Sequence, residues 1–424
     1  MHRKVVATQA FTNSAIHRML LHIDEPSGAS NAPSFQAFLE MAFRPLYLAG
    51  ASWALVAVAL WVFWPQLLQG PLNGVAWHAH EMMWGFIATI AVGFLMTAGA
   101  NWTGVNPMPR RTLLLAVALW LLARIGFLGQ GEPWFWIGTS ADAAFFLLAA
   151  LAMGRAVYGT QNRRNYAVPL LLLGLGLSNV MYLLAAVDND YGLLMRRFNV
   201  GLLIMAVIAL LVGRRVIPFF AMRAVPGLQI PMHERSSWVQ LTASALAALF
   251  LLLQWPIPQA LALMVAGVVP LWQLISWKPF AVRHKPLLWI LYAGYFGLGM
   301  GLLAAAIQAF GFSARAALHV HMIAMAGFSV LIIGMITRTA LGHLGRPLAT
   351  DQSMVISYVL VLSAAAFRLG ALYPSAASLL MLWAAALCWI TAMGLYLWRF
   401  FPWMIRPRPD QQLSAVSLTP GKKR

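Results

Sequence analysis

Residues 77–104 read Trp77-His78-Ala79-His80-Glu81 and then MMWGFIATIAVGFLMTAGANWTG. After Glu81 no Asp, Glu, Lys or Arg occurs until Arg110. A run this long and this apolar marks a helix crossing a bilayer, which needs about 20 such residues. Two imidazoles and a carboxylate stand at its head. Such groups are expensive at membrane depth, so they are functional candidates by default.

The rest of the chain repeats the first half of this pattern. Of 424 residues, 61% are hydrophobic and only 9% charged, and the mean hydropathy is +0.74. A soluble domain carries about 25% charged residues, so an ordinary soluble enzyme is excluded. With 12% aromatic residues, a disordered chain is excluded too. Apolar runs fall at 44–65, 79–99, 112–129, 134–157, 167–187, 197–217, 238–254, 257–277, 287–310, 316–337, 354–372 and 375–400. The expected fold is therefore all-α: a polytopic membrane protein of about 12 transmembrane helices in one bundle. Residues 1–40 are expected as a cytoplasmic N-terminal segment, 41–405 as the transmembrane domain and 406–424 as a basic cytoplasmic tail. Ser14–Ile23 could form a short interfacial helix. No signal peptide is evident, since Arg3 and Lys4 are not followed by a continuous apolar core.

The net charge of +18 comes from 29 Lys and Arg against 11 Asp and Glu. These cations sit in short loops, where they set orientation and meet anionic headgroups. Nucleic acid is not an expected partner; the lipid bilayer is. With a cytoplasmic N-terminus, 24 of the 29 cations fall on the cytoplasmic side and only Arg196, Arg197, Arg315 and Arg368 on the other. Both termini are accordingly expected in the cytoplasm. The single cysteine, Cys388, allows no internal disulfide and no thiolate cluster. A metal would have to use histidine, methionine or oxygen ligands. There is no P-loop, no HExxH and no Cys-x-x-Cys-His, so any haem would be noncovalent.

On this topology the intramembrane ionisable residues gather in the outer half. His78, His80 and Glu81 open the second helix, and His319 and His321 open the tenth. Asp142 lies two turns into the fourth, while Arg124 and Arg368 lie near the outward ends of the third and eleventh. On a regular helix His78 and Glu81 share a face and His80 points about 200° away. Glu81 could then orient a ligating His78, or the group could be a wet interfacial cap. His319 and His321 diverge in the same way, so they can serve two centres but not one metal. Haem–copper oxidase subunits use this arrangement on their tenth helix, with a partner histidine on the second. Arg124 and Arg368 suit the propionates of a haem, or pairing with Asp142 or Glu81. Met82 and Met83 could assist Cu(I), or simply pack. Arg338, His343 and Arg346 lie at the inner end of the tenth helix, too far along it to share the outer site. The phrase His-x-His followed by Gly-Phe occurs twice, at 78–86 and 319–328.

Several stretches together resemble the NnrS family of haem- and copper-containing membrane proteins. They are Phe43-Arg44-Pro45, Trp77-His78-Ala79-His80-Glu81-Met82 with Gly85-Phe86, Asn101-Trp102-Thr103-Gly104 and Gly213-Arg214-Arg215-Val216-Ile217-Pro218. His321 with Gly327, Thr337-Arg338 and Leu341-Gly342-His343-Leu344-Gly345-Arg346 complete the set. The matches run in order from residue 43 to about 370. His321 is the regular histidine of the motif and His319 a departure from it. The resemblance implies a multi-pass protein of the bacterial inner membrane that binds haem and copper. It also implies a link to nitric oxide, through denitrification or protection against nitrosative stress.

Three functions follow as expectations. The first is a haem–copper protein that binds or responds to nitric oxide. His78 or His80 and His321 would be axial candidates, Arg124 and Arg368 would face the propionates, and copper would take whichever imidazole remains, His319 included. Glu81, Asp142, Arg338, His343 and Arg346 would support. Such a protein is a cofactor binder before it is a classified enzyme. The second is a secondary transporter with a polar outer-half site. The third is a divergent haem–copper oxidase-like reductase, disfavoured because helices six and seven contain no histidine.

Overall fold

A computed structural model describes residues 32–188, 190–313 and 315–409. Ser14–Ile23, Arg3, Lys4 and the cations after 409 lie outside the described residues, as do most of the expected N-terminal segment and tail.

All twelve expected runs are helical. We label them α1 (Phe43–Phe63), α2 (Gly74–Thr103), α3 (Arg110–Leu128), α4 (Glu132–Gly159), α5 (Ala167–Val187), α6 (Tyr191–Ala224), α7 (Glu234–Leu252), α8 (Pro256–Ser276), α9 (Pro286–Ala309), α10 (Ala317–His343), α11 (Gln352–Gly370) and α12 (Ser378–Met404). Eleven are long and apolar enough to cross a membrane; α7 falls short. Its polar residues, Glu234, Arg235, Ser236, Ser237, Gln240, Thr242 and Ser244, lower its hydropathy, and several of them face inward. Ser237, Gln240 and Ser244 are all fully buried. The Gln240 amide donates to Tyr295 on α9, and Gln273 on α8 donates to Ser236 and accepts from Tyr295. Meanwhile Trp238, Val239, Leu246 and Leu249 are exposed. Polar residues turned inward and bonded across helices are tolerated at membrane depth. The described residues thus form an all-α polytopic membrane protein.

Helices α4 to α12 each pack on the next in sequence, and α12 returns to α1. Buried Arg44 fastens that closure: its guanidinium donates to the carbonyls of Met404 at 3.1 Å and Arg406 at 2.7 Å. These are free carbonyls at a helix C-terminus, where a cation is favoured. Trp389 on α12 donates to the Ala54 carbonyl of α1 at 2.9 Å. Helices α2, α6, α9 and α10 are the most buried, and α2 and α10 touch each other.

The repeated sequence phrase has a structural counterpart. Directly after each His-x-His the helix widens into an eight-residue π-helical segment, Glu81–Ala88 in α2 and Met322–Ser329 in α10. In each, a hydroxyl bonds the carbonyl five residues back: Thr89 to Trp84 at 3.0 Å, Ser329 to Ala324 at 2.8 Å. The wider turn re-aims the side chains at its start, and such segments recur at functional sites.

Candidate functional site: a buried ion cluster and two histidine cavities

The two nitrogens of Arg124 on α3 bridge two carboxylates. One donates to Glu81 Oε2 and the other to Asp142 Oδ1, each at 2.6 Å. The indole N–H of Trp53 also donates to Glu81 Oε2. Asn179 on α5 donates to Asp142 Oδ2 at 2.6 Å and offers its carbonyl oxygen to His80 Nε2 at 2.8 Å. His80 Nδ1 meets Glu81 Oε1 at 2.8 Å. Each of these ionisable groups is almost fully buried. Buried charges survive when paired and hydrogen-bonded, and here both conditions hold. His80 faces an oxygen at each nitrogen and so carries both protons, which balances two carboxylates with two cations. Gly85 is required beside them. A Cβ there would lie 2.8 Å from Glu81 Oε2 and closer still to the Arg124 guanidinium.

This geometry corrects two expectations. Glu81 orients His80, not His78, because Arg124 and Trp53 draw its carboxylate to the far side of α2. His80, expected as a haem or metal ligand, has no nitrogen to spare. Arg124 takes the pairing alternative with both acids at once rather than facing propionates.

His78 points the other way from α2, as the i, i+2 spacing predicts. It lines a cavity with His321 and Arg368. The cavity has a volume of about 210 Å³, and Trp61, Met82, Met83 and Trp389 are among its walls. The His78 ring stacks on Trp61 at 5.1 Å, and its Nδ1 is buried without a partner. His321 Nδ1 lies 2.9 Å from the Ala317 carbonyl. That oxygen only accepts, so Nδ1 holds the proton and Nε2 keeps its lone pair. A neutral imidazole with one N–H committed to an oxygen is the usual state of a metal-ligating histidine. Arg368 makes no ion pair among the described residues.

His319 turns to the opposite face of α10. Its Nε2 lies 2.9 Å from Asn199 Oδ1 on α6, and Asn199 Nδ2 donates to the Met195 carbonyl at 2.7 Å. The amide is thereby oriented to accept, so His319 is protonated at Nε2 and its bare Nδ1 is buried unpartnered. It lines a second cavity of about 140 Å³ with Gln259 and Gln308. The two histidines of α10 therefore line separate cavities.

Arg338 and His343 lie at the C-terminal end of α10 and Arg346 just beyond it. Arg338 lies 3.7 Å over the Phe220 ring, Arg346 4.7 Å over Trp403, and the His343 ring packs 5.5 Å from Phe43. None joins the outer groups. Trp53, Asn179 and Asn199 were missed in the sequence. Their signal was present, since Asn179 is an amide deep in an otherwise apolar run, but a search confined to ionisable side chains passes over it.

The fold and site together define a polytopic helical membrane protein with a buried ion cluster on one side of α2 and a histidine-lined cavity on the other. Among the described residues no three His, Cys, Asp or Glu side chains converge as a metal site. The chain belongs to the NnrS family: the family model described as NnrS protein matches residues 37–408. A search of curated proteins finds no match.

Proposed function

We propose that this NnrS family member holds haem in the outer-half cavity between α2 and α10 and acts in the response to nitric oxide. One observation carries the reading: His78 and His321, from helices far apart in sequence, face the same cavity, each with a ring nitrogen lacking any protein partner. Arg368 on the same wall suits a propionate. Bound iron would supply the site with redox and gas-ligand chemistry. The chain's own contribution is positioning. The Ala317 carbonyl fixes the His321 tautomer, Trp61 fixes the His78 ring, and the apolar walls exclude water. The ion cluster, on the other side of α2, anchors the helix that presents His78.

Copper fits these residues less well. Of the four histidines, His319 is the one left with a bare nitrogen, and only amides and aliphatic side chains surround it. It is the imidazole we assign to copper, and nothing else in the reading depends on it. An apolar gas partitions into lipid, so a cavity at membrane depth in the bacterial inner membrane meets nitric oxide where it concentrates.

The test is a reduced-minus-oxidised difference spectrum of protein purified after expression with adequate haem. Wild type shows a haem Soret band, His321→Ala loses it and His343→Ala keeps it. No Soret band in wild type, or equal loss in both variants, overturns the assignment.

A further inference from the structure

A second space lies directly inward of the histidine cavity. It is lined mainly by α2, α6 and α10, which also line the histidine cavity, with Tyr47 of α1 and Leu291 of α9. Ala91 follows Ile87 by one turn of α2, Met205 and Ala209 follow Leu202 on α6, and Phe328 and Ile332 follow Met325 on α10. Its volume is about 80 Å³. Its walls are aliphatic and aromatic throughout, and Tyr47 brings the only polar side chain. That hydroxyl is already engaged, 3.2 Å from Thr339 Oγ1.

A buried water needs two to four polar partners, and this cavity offers none that is uncommitted. Cavities of about 150 Å³ walled by Leu, Ile and Phe stay dry and accept xenon or benzene. At half that size the space is too small for a macrocycle or an acyl chain. What remains by size and polarity is a single atom-sized or diatomic apolar guest.

We propose that this cavity is a binding site for a small apolar gas molecule, held roughly two to four helical turns inward of His78 and His321. The guest is recognised by shape and the absence of water alone. Ala91 and Ala209 are what keep the space open, because a larger side chain at either would project into it. The site therefore gives a lipid-soluble gas a resting place inside the bundle.

The test is crystals of the full chain pressurised with xenon, with anomalous scattering as the readout. Wild type shows a xenon peak in this cavity. Ala209→Leu loses it, and Ala91→Leu does the same from the opposite wall should Ala209→Leu fail to fold. No xenon in wild type, ordered water there, acyl-chain density there, or a peak that persists in a folded, filled variant would each overturn the proposal. This outcome is independent of haem: xenon occupancy with no Soret band would sink the reading of the outer cavity and leave this site standing, and the converse would do the reverse.

Discussion

Replacing Arg124 with Met tests the ion cluster by the most direct route. The guanidinium makes two ion pairs at 2.6 Å. At an effective dielectric of about 20 each corresponds to roughly 6 kcal/mol of attraction before desolvation is counted. Desolvation of four buried groups offsets most of that, so the intact cluster contributes little net stability. Removing its centre is different, because Glu81 and Asp142 then face a single cation, His80. Breaking a buried pair by deleting one partner costs about 3–5 kcal/mol. Trp53, His80 and Asn179 still donate to the stranded carboxylates, which places the expectation near the lower end, at about 3 kcal/mol. In a thermal unfolding experiment in detergent this lowers the midpoint by about 6 °C, using roughly 2 °C per kcal/mol for a large chain. The triple variant Glu81→Gln, Arg124→Met, Asp142→Asn removes the other three charges, His80 then gives up its second proton and turns neutral, and at least half of the loss is regained because no stranded ion remains. If Arg124→Met stayed within about 0.5 kcal/mol of wild type, the cluster would not be the buried balance of charge described above.

Gly85→Ala drives a methyl group into Arg124 and Glu81 and is expected to cost about 1–3 kcal/mol by overpacking, read as a lower midpoint, whereas Gly104→Ala meets no neighbouring atom and is limited to the strain of its positive φ of 72°. At the N-terminus of α11 Asp351 caps the helix through the Met354 N–H and pairs with Arg399 at 2.5 Å. Burial raises its pKa, but hydrogen bonds from Ser353, Met354 and Arg399 outweigh that and hold it below the ordinary carboxylate value. A depressed folded pKa means the stabilisation is present above the unfolded value of about 3.9 and is lost as pH falls through the folded one. Asp351→Ala should therefore cost about 1 kcal/mol near neutral pH, mainly through the lost cap. Its deficit against wild type should shrink in melts below about pH 4; a deficit that grew on acidification would contradict the assignment. His319→Ala should leave the haem Soret band unchanged while lowering copper content in a metal inventory. Unchanged copper would remove His319 from that role.

The helices were legible because bilayer thickness fixes the length of an apolar run, and each run from 44–65 to 375–400 became a helix within a few residues at most ends. The divergence of His78 from His80, and of His319 from His321, was legible for the same reason: helical periodicity sends i and i+2 apart whatever the fold. What periodicity alone cannot give is which neighbour each face meets. Glu81 was placed with His78 on an ideal wheel, but its partner is decided by Arg124 and Trp53, which arrive from α3 and α1. Asn179 and Asn199, which fix two of the histidine protons, carry no charge and left only a faint mark in the sequence. The π-helical segments were marked by the repeated His-x-His and Gly-Phe phrase without being named by it, since their hydroxyl bonds to the fifth preceding carbonyl follow no simple residue rule. For α7, hydropathy and burial diverge because its polar face is spent on α8 and α9 rather than on water.

The central claim is that His78 and His321 grip one group in one cavity. Electron paramagnetic resonance of the oxidised, haem-loaded protein tests it most directly. The account predicts a low-spin ferric signal from two imidazole ligands, abolished alike by His78→Ala and by His321→Ala and retained in His319→Ala. A two-imidazole signal that survives either of the first two substitutions would contradict it.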